Sequence, residues 1–331
     1  MTTDALQPWV EKYRPKKVSD LAHQDQVVNT LNRALQERSM PHLLFYGPPG
    51  TGKTSAALAI GKQLFGPELY RDRVMELNAS DERGINVVRE KIKTFAARAV
   101  GPPAPGYPCP PFKLLILDEA DSMTQDAQSA LRRTMEQYSK VTRFCFCCNY
   151  VSRIIDPLAS RCAKFRFQPL EGEVMRKKIA EICESEGVTL PPDAHAALSD
   201  VSGGDLRKAI TTLQSAVRLD GKEVRRATVL DVSAVVPTEV VSGLVGACRR
   251  GGVDQLHAKV LDTIAEGYAA QQLLLQVQAA VLEAPGLSDV QRGGVLALLA
   301  GADKALVDGA DETLQLLHVC TAAQQIMLSQ P

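Results

Sequence analysis

Gly47-Pro48-Pro49-Gly50-Thr51-Gly52-Lys53-Thr54 is a complete G-x-x-x-x-G-K-[ST] motif. It follows the apolar run Leu43-Leu44-Phe45-Tyr46 and opens a helical pattern from Ser55 to Phe65. A strand, a glycine-rich loop and a helix in that order are the context in which this motif binds phosphate. The glycines let the backbone bend so that successive N–H groups face inward, and the helix N-terminus behind them adds about half a positive charge. Lys53 is placed to reach the outer phosphates of a nucleotide, and the Thr54 hydroxyl to ligate Mg²⁺. A plain Gly/Pro-rich turn before a helix is the competing reading, and the flanking pattern weighs against it.

Downstream, Lys113-Leu114-Leu115-Ile116-Leu117-Asp118-Glu119 carries four consecutive apolar residues, as expected for a strand buried on both faces of a parallel sheet. Two carboxylates follow at its C-terminal end, where α/β sheets place ligands. Asp118 suits Mg²⁺, and Glu119 suits orienting and deprotonating an attacking water. Thr142 to Cys148 reads as another buried strand, ending at Asn149 on the same edge. There an amide either positions the water or caps a turn. A short helix is expected from Val151 to Ala159, then Ser160-Arg161-Cys162 and a last strand from Ala163 to Phe167. With a strand at Arg73–Asn78 and helices at Ile85–Val100 and Gln125–Tyr138, strands and helices alternate, which predicts an α/β domain with a parallel sheet. Gly101–Pro111, with six prolines, reads as an exposed loop.

Upstream, His23–Arg38 has the apolar spacing of an amphipathic helix. Before it, Trp9-Val10-Glu11-Lys12-Tyr13-Arg14-Pro15 reads as an extended arm, with two readings open: the lone Trp as a buried anchor, or the arm lying against a nucleotide base. After Pro169-Leu170 the pattern turns helical, with helices at Glu173–Glu186, Asp193–Ser202 and Asp205–Leu219. Gly203-Gly204-Asp205-Leu206-Arg207 puts Arg207 in the first turn of a helix, where the macrodipole disfavours a cation. An anionic partner or an ordinary salt bridge would each account for it. Beyond Val235-Val236-Pro237 the chain is helical, Ala/Leu/Gln-rich and without a catalytic cluster: an oligomerisation domain, or an autonomous bundle. The expected divisions are residues 1–170, 171–235 and 236–331.

The formal charge of the 331-residue chain is zero, but Ser233 onward carries 5 Lys+Arg and 10 Asp+Glu, leaving the remainder with a net of +5. A polyanion partner is therefore expected on the N-terminal two-thirds. No apolar run approaches the roughly 18 residues of a membrane span, and Met1-Thr2-Thr3-Asp4-Ala5 does not read as a secretory signal. The eight cysteines lie mostly in apolar runs without zinc-ligand spacing, as expected of reduced buried thiols.

Taken together, the Trp9–Pro15 arm, the phosphate loop, Asp118-Glu119-Ala120-Asp121, Asn149, Ser160-Arg161-Cys162 and Gly203–Arg207 resemble the small subunits of eukaryotic replication factor C, clamp loaders of the AAA+ ATPase class. The resemblance is ordered over residues 8 to 235 and looser beyond. It implies an AAA+ P-loop domain with a parallel sheet, a helical lid domain and a C-terminal all-α collar, in a heteropentamer that uses ATP and Mg²⁺ to load a sliding clamp (proliferating cell nuclear antigen) onto primer–template DNA. By position it implies Val10 and Arg14 at the base and ribose, and Gly47, Pro48, Pro49, Gly50, Thr51, Gly52, Lys53 and Thr54 around the phosphates. Asp118 and Glu119 become the acidic pair, with Thr54 and Asp118 toward the metal. Asn149 becomes the first sensor and Arg207 the second, while Arg161 serves as a finger for the neighbouring subunit's ATP. Arg83, Arg89 and Arg153 match positions that contact the DNA backbone; solvated surface arginines are the competing reading. The implied address is the nucleus, with no membrane partner. Intact Lys53, Thr54, Asp118 and Glu119 favour an active ATPase over a subunit that binds ATP without turnover, and Arg161 with the arm favours a loader over another AAA+ remodeller such as a helicase loader.

Overall fold

The computed structural model describes residues 7–20, 28, 40–79, 85–250 and 252–329, with main chain only at 85–89. The chain divides into two compact units, residues 1–229 and 230–331.

In the first unit, α1 (Trp9–Lys12) is followed by β1 (His42–Tyr46), α2 (Lys53–Arg73), β2 (Val74–Asn78), α3 (Ile85–Ala97), β3 (Lys113–Asp118), α4 (Gln125–Tyr138), β4 (Thr142–Cys148), α5 (Asp156–Ala159) and β5 (Cys162–Arg166). The five strands form one sheet in the order β2-β3-β4-β1-β5, and every pairing is parallel. The register sets Tyr46 beside Cys148 and Asn78 beside Asp118, so the strands end along one edge. Alternate side chains feed two cores. Leu43, Phe45, Leu114, Ile116, Cys145 and Cys147 pack under α2, where Ala56, Ile60 and Leu64 are buried. Leu44, Leu115, Leu117, Phe144 and Phe146 face the other way, onto Ile92 and Phe95 of α3 and Leu131 and Met135 of α4. Burial on both faces is why the central strands read as unbroken apolar runs.

Three helices complete this unit: α6 (Gly172–Glu186), α7 (Pro192–Ser202) and α8 (Leu206–Asp220). Met175, Ile179 and Ile182 of α6, Ala194 and Leu198 of α7, and Ala209, Leu213 and Ala216 of α8 are buried at helical spacing. α6 stops at Gly187, whose φ of 64° ends the helix in the left-handed region. α8 starts at Asp205, whose side chain accepts from the Lys208 N–H at 3.0 Å. A short helix that the sequence reading missed, α9 (Arg226–Val232), spans the division between the units.

The second unit contains α10 (Thr238–Arg250), α11 (Val253–Ala265), α12 (Ala270–Glu283), α13 (Asp289–Val307) and α14 (Glu312–Leu328) around one apolar core that includes Leu244, Leu256, Leu273, Val295 and Val319. Ser288 and Gln291 form a reciprocal capping box at the start of α13. Among the described residues, no helix is long and apolar enough to cross a membrane.

Several expectations need correction. The helix behind the phosphate loop does not end at Phe65. It breaks at Gly66 (φ 64°, ψ 177°), before Pro67, and resumes to Arg73. Arg73 is a buried helical residue, not the first of a strand. The proline-rich segment is not simply exposed, because Cys109 and Pro110 are buried. Arg73, 3% exposed, gathers both of its ends by donating to the carbonyls of Pro110, Phe112 and Pro102 at 3.3 Å each, and to that of Gly101. A guanidinium with five donors satisfies backbone carbonyls that no strand or helix can pair. The Val151–Ala159 helix is instead a 3₁₀ turn at Val151–Arg153 followed by α5, and α3 stops at Ala97 rather than Val100. The arm is a single helical turn with a half-buried Trp9, not an extended segment around a buried anchor. The expected His23–Arg38 helix lies outside the described residues except for Val28.

Candidate functional site

The phosphate loop leaves the C-terminal end of β1, beside β4, and enters α2 at Lys53. Gly47, Gly50 and Gly52 have φ of 146°, 69° and 92°, a run of positive values that turns the N–H groups toward one concavity. Gly50 is needed for a second reason. A Cβ there would lie 1.7 Å from Asp205 Oδ1, so the cap of α8 rests directly on the loop.

Lys53 is buried at 8% exposure and donates to Gly47 O at 2.8 Å, Pro48 O at 2.7 Å and Asn149 Oδ1 at 2.9 Å. Burial lowers the ammonium below its ordinary pKa, and the carboxylates of Asp118 and Asp121 oppose that shift. The Thr54 hydroxyl donates to Asp118 Oδ2 at 2.7 Å. These two oxygens, from the loop and from the end of β3, form a hard-donor pair suited to Mg²⁺. Glu119 follows with φ 52° and ψ 38°, an uncommon backbone for a non-glycine residue, held by its N–H to Asp118 Oδ1 at 3.0 Å and by the Ser122 hydroxyl on its carbonyl at 2.7 Å. The exposed Glu119 side chain lies on the same pocket.

That pocket takes Val10, Arg14 and Pro15 from the arm, Pro49 to Ser55 from the loop and α2, Asp118 and Glu119 from the end of β3, and Asn149 from just beyond β4. Leu170, Lys178, Leu206, Arg207 and Ile210 complete it from the helical side. Nearly every residue read as a nucleotide contact therefore converges on one cavity; among them Gly47 and Pro48 take part through the carbonyls that hold Lys53. Two candidates stand elsewhere. Arg161 lies between α5 and β5, with Nη2 2.6 Å from Glu136 of α4 and a side chain 40% exposed. Exposed Arg153 sits over the Tyr150 ring at 5.1 Å. Arg83, and the side chain of Arg89, lie outside the described residues.

Other contributors escaped the sequence reading, and three of them show why. Asp121 Oδ2 accepts the backbone N–H groups of both Asn149 and Tyr150 at 3.1 Å, which fixes the end of β4. Gln128, 1% exposed, donates to Met123 O at 3.1 Å and Arg153 O at 3.0 Å and accepts from the Ile155 N–H at 2.8 Å. Lys178 of α6 lines the pocket. Asp121 is adjacent to the acidic pair and so had a signal. Gln128 and Lys178 look like ordinary helical polar residues until the tertiary fold gives them partners.

Residues 43–170 match the ATPase family associated with various cellular activities, and 177–218 match an AAA+ ATPase lid domain of the RCF1/5-like kind. Residues 236–322 match the replication factor C C-terminal domain, and 1–83 match the Rad17 P-loop domain. The chain is 60% identical to replication factor C subunit 4 of Arabidopsis thaliana over 96% of its own length and 94% of that protein. It is 55% identical to the human subunit 4, covering 96% and 88%, and 45% identical to subunit 2 of Saccharomyces cerevisiae, covering 97% and 94%. Among solved structures, the Thermotoga maritima RuvB Holliday junction branch migration motor superposes with a TM-score of 0.53 at 18% identity, covering 80% of this chain and 91% of that one, a likeness of fold alone. With the phosphate-loop and acidic-pair residues lining one pocket and the similarity running nearly end to end, the chain belongs to the replication factor C small-subunit family, the AAA+ ATP hydrolases that assemble into the clamp loader of DNA replication.

Proposed function

We propose that this chain binds ATP with Mg²⁺ and hydrolyses it within a heteropentamer that opens the sliding clamp, proliferating cell nuclear antigen, and sets it on primer–template DNA in the nucleus. The observation that carries the reading is the convergence of Lys53, Thr54, Asp118, Glu119, Asn149 and Arg207 on one pocket roofed by Val10 and Arg14. Gly47 to Thr54 cradle the phosphates, and Lys53 neutralises the outer ones. Thr54 and Asp118 would hold Mg²⁺, which would supply positive charge against the phosphates when bound. Glu119 takes the proton of the attacking water and Asn149 orients it; Arg207 reads the γ-phosphate from the helical side. Val10 and Arg14 meet the base and ribose.

The 40%-exposed Arg161 is available to a neighbouring subunit's ATP, so each hydrolytic site needs two chains. Arg153, with Arg83 and Arg89, would follow DNA phosphates without reading bases. Residues 1–170 serve as the ATPase domain, 171–235 as the lid and 236–331 as the oligomerising collar.

The test is ATP turnover by the chain alone and mixed with partner subunits, with and without primed DNA and clamp, using Glu119→Gln as the control. Turnover confined to the assembly, raised by DNA and clamp and removed by Glu119→Gln, is expected. Strong turnover by the lone chain, indifferent to both, would refute the need for a neighbour's arginine.

A further inference from the structure

The arm over the pocket is held by a carboxylate that the roles above do not use. Glu186 Oε1 accepts from Lys12 Nζ at 2.7 Å and from the Tyr13 hydroxyl at 2.6 Å. The Trp9 N–H, one turn earlier, donates to Gln214 Oε1 of α8 at 3.2 Å. Glu186 is the last residue of α6, where the macrodipole disfavours an anion. Its side chain is 18% exposed, a further cost to the charge, which the two donors offset. Partial burial raises the Glu186 pKa, but the hydrogen bonds from Lys12 and Tyr13 outweigh it and leave the carboxyl below its ordinary value.

The other end of the strap is fixed in the sheet layer. Val18 is fully buried in the core under α2, and its N–H donates to Gln63 Oε1 at 3.3 Å. Arg14 and Pro15 run between these anchors and line the pocket together with Val10 and Tyr13. The position of Arg14 is thus set by two tethers, one of which sits on the lid. A lid that moves while Glu186 holds Lys12 and Tyr13 carries Val10 with it.

We propose that Glu186 is a positioning residue for the base end of the nucleotide site: it ties the arm to the lid so that both close on the base as one unit. The proposal rests on the reading of the pocket as an ATP site. The phosphate end is anchored independently by the loop and Lys53, so the tether governs recognition of the base and leaves phosphate binding alone.

The test uses the full chain and two ligands, ATP and inorganic tripolyphosphate, which lacks the base. Glu186→Ala is expected to weaken ATP about tenfold, the scale of a lost hydrogen bond to a charged group. Tripolyphosphate, read by competition, is expected to change less than about twofold on the same argument. The preference for ATP over GTP narrows. Tyr13→Phe, which removes one of the two donors, reproduces part of the effect, and Glu186→Gln, which keeps an acceptor, falls between wild type and Glu186→Ala. In the assembled loader, KM for ATP rises while kcat is retained. Equal losses for ATP and tripolyphosphate, or an unchanged ATP affinity, would overturn the proposal. Failure of the site reading itself looks different: Lys53→Ala would leave ATP binding intact.

Discussion

Lys53 Nζ and Asn149 Oδ1 are 2.9 Å apart, so the lysine of the phosphate loop and the amide at the end of β4 share a hydrogen bond. Lys53 has two further acceptors, Gly47 O and Pro48 O, and does not depend on Asn149 for its place. Asn149→Ala should therefore change ATP affinity by less than about threefold while slowing single-turnover hydrolysis about 10²–10³-fold, the scale of a lost polar group at a reacting centre. Lys53→Ala, by contrast, should abolish nucleotide binding. Equilibrium binding and rapid-quench kinetics on the two variants separate these outcomes.

Among the described residues, the Arg161 side chain makes exposed contacts to Glu136 at 2.6 Å and to Pro157 O at 2.6 Å. Such surface pairs contribute little to stability. Arg161→Ala should leave this chain's own ATP affinity within about twofold and lower hydrolysis at the neighbouring site by on the order of 10³ in the assembled loader. Loss of the variant's own ATP binding would exclude the finger role.

Gly50 meets Asp205 too closely to carry a side chain, and its φ of 69° is strained for any other residue. Gly50→Ala should cost at least tenfold in ATP affinity, in line with about 1–3 kcal/mol of local strain. Adding Asp205→Ser keeps an N-cap but shortens the side chain, and should recover part of the loss. A double variant no better than Gly50→Ala would place the whole effect in the backbone conformation.

Gln128→Leu keeps the volume and deletes three hydrogen bonds at a site only 1% exposed. With the Arg153 carbonyl and Ile155 N–H left unpaired, a loss of about 2–4 kcal/mol in unfolding free energy is expected. Urea denaturation measures it, and hydrogen exchange at the Ile155 amide should lose protection selectively.

His42 is held neutral. Its Nδ1 accepts the Phe144 N–H at 3.1 Å, and burial, with Arg143 nearby, lowers its pKa from 6.5 to about 4. Between those values the unfolded chain binds the proton and the native chain does not, so this contribution is complete above pH 6.5 and is lost as pH falls toward 4. After allowance for its partial exposure, about 2 kcal/mol of stability is at stake. His42→Gln keeps an acceptor and should flatten that part of the stability–pH curve; an unchanged slope would assign it to other groups.

The sequence by itself determined the ATPase layer: the order of strands and helices, the phosphate loop and the acidic pair at the end of β3. Those features are local, because loop chemistry depends on glycine spacing and a doubly buried strand shows as an unbroken apolar run. The tertiary structure alone decided what depends on partners distant in the chain. Arg73 read as the start of a strand and Gln128 as an unremarkable helical residue, yet each ends as a buried hub for backbone carbonyls that the fold brings to it from loops distant in the chain. The arm was legible as aromatic and basic, but not as a helical turn tethered to Glu186, since that contact spans 174 residues and leaves no periodicity in either segment. Asp205 announced itself as a cap; that it also closes over Gly50 required the lid and the loop to be seen together.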